Sequence, residues 1–352
     1  MGVEMIFATL REGGPDGVLI VVNRAKTHAV RAEKIAPTLQ AALDSWSTSE
    51  HKLRELATLI EHDDCSGAFP LVIDALAAPL PRAFAYYDAA CYPEHISIIR
   101  RARGATLPAD FLDQPLMLQA VGSPVMSWCD PIKLSQDEAY GVDLEAEIVA
   151  ITGEVPQGTQ RDGAGKYIKL LGMLNDVSLR ELVAPELARG FGFLQSKPES
   201  SMGPFVVTPD ELGALWNGRM FAGGRYRIEV RGERLGDLDP AQDVAFDYCD
   251  LIQHAAKTRT LVAGSMLAAG TLANKDRRNG SGCIAEQRAR EQLTEGVPVT
   301  GYLHFGDEVY LEFFDSQSRS VFGPIRQKLE KLNQSFPSEA GRGPSNPMQQ
   351  QV

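Results

Sequence analysis

The run YGVDLEAEIVAI, residues 140–151, alternates apolar and acidic side chains. Val142, Leu144, Ala146 and Ile148 fall on one side of an extended chain. Asp143, Glu145 and Glu147 fall on the other, because strand side chains alternate with period two. The pattern predicts one strand with a single face in a core. Glu145 and Glu147 would then project in the same direction, about 7 Å apart along the strand. Like charges held that close repel each other unless water or a cation lies between them. From this run alone, a solvated strand face and a cation site are both open.

Outward from this run, the texture is of short apolar segments separated by Gly, Pro and Asp. MGPFVVTP (202–209), GRYRIEVRGERLG (224–236) and DEVYLEFFD (307–315) are examples. Many short strands with few long helices predict a β-rich α+β domain whose strands fold over one another, with helices at 178–188 and 244–258. The first 75 or so residues read differently. IFATL (6–10) and GVLIVVN (17–23), joined by the turn-rich REGGPD, predict a hairpin. The segments 35–46 and 49–62 carry helical spacing, the second with Leu53, Leu56, Leu59 and Ile60 on one face. ALAAPLPRAF (75–84), with Pro79 and Pro81, marks a boundary. The expected organisation is a small α+β N-terminal domain over 1–78, a β-rich domain over 82–330 and a polar, disordered tail over 331–352.

Composition narrows the function. A net charge of −11 over 352 residues argues against general nucleic-acid binding, which needs a basic face. Cys65, Cys91, Cys129, Cys249 and Cys283 are scattered without a CxxC pair, so neither a disulfide framework nor a zinc cluster is indicated. No apolar stretch approaches the roughly 20 residues of a membrane span, and MGVEMIFATLREGG does not have the pattern of a signal peptide. A reduced, cytoplasmic protein is expected.

Two further acids stand in distinctive segments. Asp176 lies in MLNDVSLRELV, just before Ser178-Leu-Arg-Glu181, which has capping-box spacing. Asp88 lies in FAYYDAACYPEH, seven residues before His95, where neither helical nor strand periodicity is evident. Each has an ordinary reading, as a helix-start acid or a loop acid. Four carboxylates from three segments are also the ligand type that Mg²⁺ or Ca²⁺ takes.

Taken in order, YGVDLEAEIVAI, MLNDVS, FGFLQSKPESSMGPFVVTPDELG and AAGTLANKDRRNGSGCIAE resemble the fumarylacetoacetate hydrolase family, its bacterial branch in particular, across about residues 85–325. The first 80 residues resemble that branch's small N-terminal domain. The resemblance implies a mixed β-sandwich roll, a divalent cation (Mg²⁺, with Ca²⁺ or Mn²⁺ as alternatives) and chemistry on β-dicarbonyl or 2-oxo acids. Carried over residue by residue, it makes Asp88, Glu145, Glu147 and Asp176 the metal ligands. His95 becomes the base that activates water, and Glu286 the acid that orients it. Lys197 stabilises developing negative charge, and Arg103, with Arg100 and Arg101 close by, faces the substrate. Tyr92, Gln195, Thr271 and position 118 complete the substrate contacts.

Each of these residues also has a plain alternative. His95 could be a loop histidine, Lys197 an exposed loop lysine and Thr271 part of a turn, while Glu286 could simply pair with Arg290 one helical turn on. Two positions depart from the family pattern. Leu118 stands where a tyrosine is common, and Val183 where some members have glutamine. The expected function is a metal-dependent hydrolase cleaving the C–C bond of a diketo acid such as fumarylacetoacetate or an acylpyruvate, as in aromatic catabolism, and assembled as a homodimer. A 2-oxo acid decarboxylase or hydratase of the same fold is the alternative within the family, and a non-catalytic binder the alternative outside it. The His95/Glu286 pair favours hydrolysis, since decarboxylation needs no activated water.

Overall fold

The acidic run lies at the centre of a large mixed sheet. A computed structural model describes residues 4–62, 64–107 and 109–332, so the expected tail lies, from residue 333 on, outside the described residues. The 11-stranded sheet runs Phe69–Pro70, His28–Arg31, Val18–Val22, Ile6–Leu10, Val206–Val207, Ile168–Asn175, Ala146–Thr152, Ser265–Ala268, Ala85–Ala89 and Met117–Ala120, with Ser201–Met202 paired to Ile168–Asn175. All its pairings are antiparallel except Ser265–Ala268 with Ala85–Ala89. A second sheet of five strands runs Glu233–Leu238, Arg225–Val230, Glu308–Phe314, Ile325–Lys331 and Ile132–Leu134. The described helices are α1 (Leu39–Asp44), α2 (Trp46–Glu61), α3 (Pro93–Ala102), α4 (Arg180–Arg189), α5 (Tyr248–Ala255) and α6 (Ile284–Glu295). None is long and apolar enough to cross a membrane. This is the β-rich α+β architecture expected from the sequence.

Period two distributes the central strand between two cores. Ile148 and Ala150 pack with Tyr226, Ile228, Leu311 and Phe313 of the second sheet. Val149 and Ile151 join a cluster with Phe7, Leu19 and the helix residues Leu39, Leu43, Trp46 and Leu53. Both faces of Ala146–Thr152 are therefore covered, not one as expected. Nor is the run a single strand. Val142–Asp143 pairs with Ser178–Leu179, while Ala146–Thr152 pairs with Ile168–Asn175, and the chain breaks pairing at Leu144–Glu145.

Other local expectations also shift. The 84–95 segment is regular after all. It forms the strand Ala85–Ala89 and the start of α3, whose first position is Pro93, where the missing N–H costs nothing. Ser178 does not cap a helix, because its backbone is used in the short strand pairing. Leu179 is the N-cap of α4, and the N–H groups of Arg180 and Glu181 donate instead to the carbonyls of Gly141 and Tyr140. The helix expected over 244–258 is trimmed to α5 by the capping box of Asp247 and Asp250. On α2, Leu53 and Ile60 are buried, but Leu59 is 42% exposed. The hairpin at Ile6–Leu10 pairs directly with Val206–Val207, so the large sheet continues across the chain boundary near Pro79 and Pro81.

One glycine joins the fold to the site. Gly270 follows Ser265–Ala268 with φ +85, and a Cβ there would sit 2.1 Å from the Ala89 carbonyl oxygen. Gly270→Ala is expected to cost about 2 kcal/mol or more, from left-handed strain plus a backbone clash, read as a lower midpoint in chemical denaturation.

Candidate active site

The acid cluster straddles two facing gaps in strand pairing. Glu145 lies in the gap between Val142–Asp143 and Ala146–Thr152, and Asp176 in the gap between Ile168–Asn175 and Ser178–Leu179. The gaps are adjacent, since the Asp176 N–H donates to the Glu145 carbonyl at 3.0 Å. The Glu145 N–H donates to Asn175 Oδ1, and Asn175 Nδ2 donates to Gln327 of the second sheet at 3.0 Å. Glu147 begins the continuous strand, and Asp88 comes from Ala85–Ala89, two strands away. Carboxylate oxygens of Asp88, Glu145, Glu147 and Asp176 all lie within 4.8 Å of one another, and all four residues are buried.

Lys197 enters this cluster. Its Nζ donates to Glu145 Oε2 and, at 2.6 Å, to Asp176 Oδ2, and stands 3.8 Å from Asp88 Oδ2. Glu186 of α4 accepts the N–H groups of Leu194, Gln195 and Ser196 and so sets the segment that delivers Lys197. Burial pulls the Lys197 ammonium down, but the surrounding carboxylates, Asp176 and Glu145 foremost, hold it well above the usual lysine range. Burial alone would raise the Glu145 carboxyl, yet Lys197 and Arg180 outweigh it and hold it low. Glu147 has no such help. Burial, then the charges of Asp88, Asp176 and Glu145, push it well above the usual carboxylate range. Both Glu147 oxygens and Asp88 Oδ1 are buried without a hydrogen-bond partner. Unsatisfied buried oxygens among clustered carboxylates are what a hard divalent cation satisfies, so these residues fit a Mg²⁺-, Ca²⁺- or Mn²⁺-type ion.

Beside the cluster stands a second pair. His95 is the third residue of α3, and Glu286 the third of α6. His95 Nδ1 lies 3.3 Å from Glu286 Oε2, while Arg290 donates to Glu286 Oε1 at 2.7 Å and to the Asn274 carbonyl. Pairing of Glu286 with Arg290 and its contact with His95 thus coexist, one on each oxygen. A carboxylate on Nδ1 fixes the proton there and leaves Nε2 as the free base.

Arg180 and Asp143 had no role in the expected site, and the structure gives them one. Arg180 donates to Glu145 Oε1 at 2.7 Å and to Asp143 Oδ2 at 2.9 Å. Asp143 in turn accepts the N–H groups of Ile284 and Ala285, the first turn of α6, at 2.8 Å each. A strut therefore runs from the acid cluster to the helix that carries Glu286. The signal lay in the sequence, because Asp143 belongs to the same acidic run and Arg180 stands four residues after Asp176.

A cavity of about 500 Å³ opens over these groups. Asp88, Glu145, Glu147, Lys197, Arg180, His95, Thr271 and Ala285 line it, as do Leu118 and Val183. Arg103 lines it together with Arg100, while Arg101 does not. Tyr92 also reaches it, although its hydroxyl is spent on the Pro240 carbonyl at 2.9 Å. Gln195 is not brought in. It is exposed, and it lies outside the lining.

With this geometry in place, comparison adds two family matches. The description "Fumarylacetoacetate (FAA) hydrolase C-terminal" matches residues 85–330, and "Fumarylacetoacetase N-terminal domain 2" matches 5–82. A search of curated proteins returns no match. Among solved structures, the chain is similar to a fumarylacetoacetate hydrolase from psychrophilic Exiguobacterium antarcticum (17% identity, 93% of this chain and 99% of that one, TM-score 0.60). It is also similar to a maleylpyruvate hydrolase from Sphingobium sp. SYK-6 in complex with manganese(II) ion and pyruvate (15%, 93% and 99%, 0.62). A third is a 2-hydroxyhepta-2,4-diene-1,7-dioate isomerase from Mycobacterium marinum (15%, 94% and 100%, 0.58). At such identities these likenesses speak for the fold.

Glu147 supplies a direct test of the cation site. Adding Mn²⁺ or Mg²⁺ to chelator-treated protein is expected to raise Tm, by the equivalent of about 2.7 kcal/mol at a hundredfold excess over Kd. Glu147→Gln should abolish that rise while leaving the metal-free Tm no lower than that of the unmodified chain. A variant that keeps the full rise in thermal unfolding would count against the site.

Proposed function

Because this chain belongs to the fumarylacetoacetate hydrolase family, we propose that it is a divalent-metal-dependent hydrolase that cleaves the C–C bond of a β-diketo acid such as fumarylacetoacetate or an acylpyruvate. The observation that carries the reading is the His95–Glu286 pair, 3.3 Å apart, in which His95 lies beside Glu145 of the four-carboxylate cluster and lines the same cavity. Hydrolysis is the reaction that needs an activated water beside a polarised carbonyl.

A cation held by Asp88, Glu145, Glu147 and Asp176 supplies Lewis-acid polarisation of a substrate carbonyl. The rest of the work falls to the chain. His95 Nε2 takes a proton from water, and Glu286, held by Arg290, stabilises the imidazolium through Nδ1–H. The hydroxide adds to the carbonyl, the C–C bond breaks, and its electron pair leaves as an enolate that is later protonated at carbon. The Lys197 ammonium, kept charged by its carboxylate neighbours, faces that developing charge. Arg103 and Arg100, farther out on the lining, suit the substrate carboxylate.

Part of the cavity wall is apolar. Ile96, Ile99, Leu116 and Leu187 join Leu118 and Val183 there. An apolar wall accepts bulky hydrophobic groups with little discrimination, whereas buried polar groups reject ligands that cannot satisfy them. The site therefore tolerates an acyl arm less polar than a fumaryl group.

Two measurements check this. His95→Ala should lower kcat for acylpyruvate hydrolysis about 10²- to 10⁴-fold while preserving the metal-induced rise in Tm. A variant that hydrolyses at full rate removes the water-activation role, and release of CO₂ in place of two cleaved acids supports decarboxylation instead. For specificity, kcat/KM should favour an alkyl- or aryl-armed diketo acid over fumarylacetoacetate, and Leu118→Tyr should narrow the gap. A strong fumaryl preference that neither Leu118→Tyr nor Val183→Gln changes would show the apolar wall to be irrelevant.

A further inference from the structure

Cys283 is fully buried and takes no part in the mechanism above. It is the N-cap of α6, its Sγ accepting the Glu286 N–H at 3.3 Å. Cysteine is not a favoured cap; Ser, Thr, Asp or Asn does that work better. Its surroundings are unusual in another respect. Cys283 Sγ, a ring nitrogen of His95 and a carboxylate oxygen of Glu145 all lie within 4.8 Å of one another, and all three residues are buried. Ligand atoms sharing one tetrahedral Zn²⁺ stand roughly 3 to 4 Å apart. Small side-chain adjustments therefore suffice to bring these three onto a common ion.

We propose that Cys283, His95 and Glu145 form a second metal site, distinct in ligand chemistry from the four-carboxylate cluster and suited to a thiophilic borderline ion of the Zn²⁺ class, whose occupation inhibits the enzyme. The all-oxygen cluster selects hard ions, whereas a sulfur–nitrogen–oxygen set selects Zn²⁺ or Co²⁺. The cavity, which His95 and Glu145 both line, offers a route in and room for a fourth, solvent ligand. Without an ion the thiol stays neutral, because burial pushes it up. The ion displaces that proton to water as the Sγ–metal bond forms. Inhibition follows directly. A ring nitrogen committed to the ion cannot accept a proton from water, and the imidazole is pinned away from its working position.

The binding claim stands apart from the hydrolase reading; only its inhibitory consequence rests on that reading. The test is therefore in two arms. In the first, full-length protein saturated with Mg²⁺ is titrated with Co²⁺ and the thiolate-to-cobalt charge-transfer absorption is recorded in the near ultraviolet. One equivalent should develop the band. Cys283→Ser, which retains a capping side chain, should lose it, and so should His95→Ala, which leaves all five cysteines in place. No band in the unmodified chain, or a band that survives both substitutions, overturns the site. In the second, Zn²⁺ inhibition is measured at saturating Mg²⁺, each protein against its own uninhibited rate. The inhibition constant should rise about tenfold or more in Cys283→Ser, the loss of one ligand. Equal zinc sensitivity, with the cobalt band present in the unmodified chain, would overturn the inhibitory role while leaving the site.

Discussion

Everything at this site follows from holding four carboxylates together out of water. Isolated buried charges are among the costliest arrangements a fold can contain. Asp88, Glu145, Glu147 and Asp176 come from three separate stretches of chain and converge within a few ångströms. Lys197 relieves three of them and leaves Glu147 without a partner. A structure tolerates such a group only where the rest of the fold over-determines its position. Here that support is the double-sided burial of Ala146–Thr152, which fixes register and leaves no route for the acids to turn outward.

The register of the strands serves the same constraint. Asn175 stands opposite Ala146 and Ser178 opposite Asp143, so the register runs unbroken through the unpaired residues and sets Asp176 across from Glu145, on the face that Glu147 shares. Where the ladder lapses at this level, Asn175 and Gln327 supply hydrogen bonds in its place. The Asp143–Arg180 strut extends this logic to α6. It ties the acid cluster and the His95–Glu286 pair to one frame, the fixed geometry that the proposed hydrolysis requires.

The four clustered acids were legible because each stands in a segment whose types and order match a family, and the strands were legible from alternation. What escaped was what depends on two distant segments at once. The strand break at Leu144–Glu145 leaves no mark in the period-two pattern, since apolar and acidic residues continue to alternate through it. Ser178 to Glu181 carries capping-box spacing, yet pairing with Asp143 claims the serine's backbone first. The 84–95 segment hides a strand and a helix start because each is short, and Pro93, which looks like a breaker, is the first residue of α3. Arg180 was overlooked because its value lies in bridging Glu145 to Asp143, which no spacing in the sequence can display.

The placement of the two departures has a consequence for how this scaffold changes substrate. Leu118 lies on Met117–Ala120 in register with Asp88, and Val183 on α4, three residues after Arg180. Both positions are thus carried by the very elements that fix the charged floor, yet neither side chain makes a hydrogen bond to it. Polar-to-apolar exchange at 118 and 183 therefore alters the wall without disturbing the carboxylates, the His95–Glu286 pair or Lys197. Had specificity been written in Arg180, altering it would also have loosened Glu145. The costly charged floor is thus separate from an inexpensive apolar wall, and the proposed substrate preference rests on the wall alone.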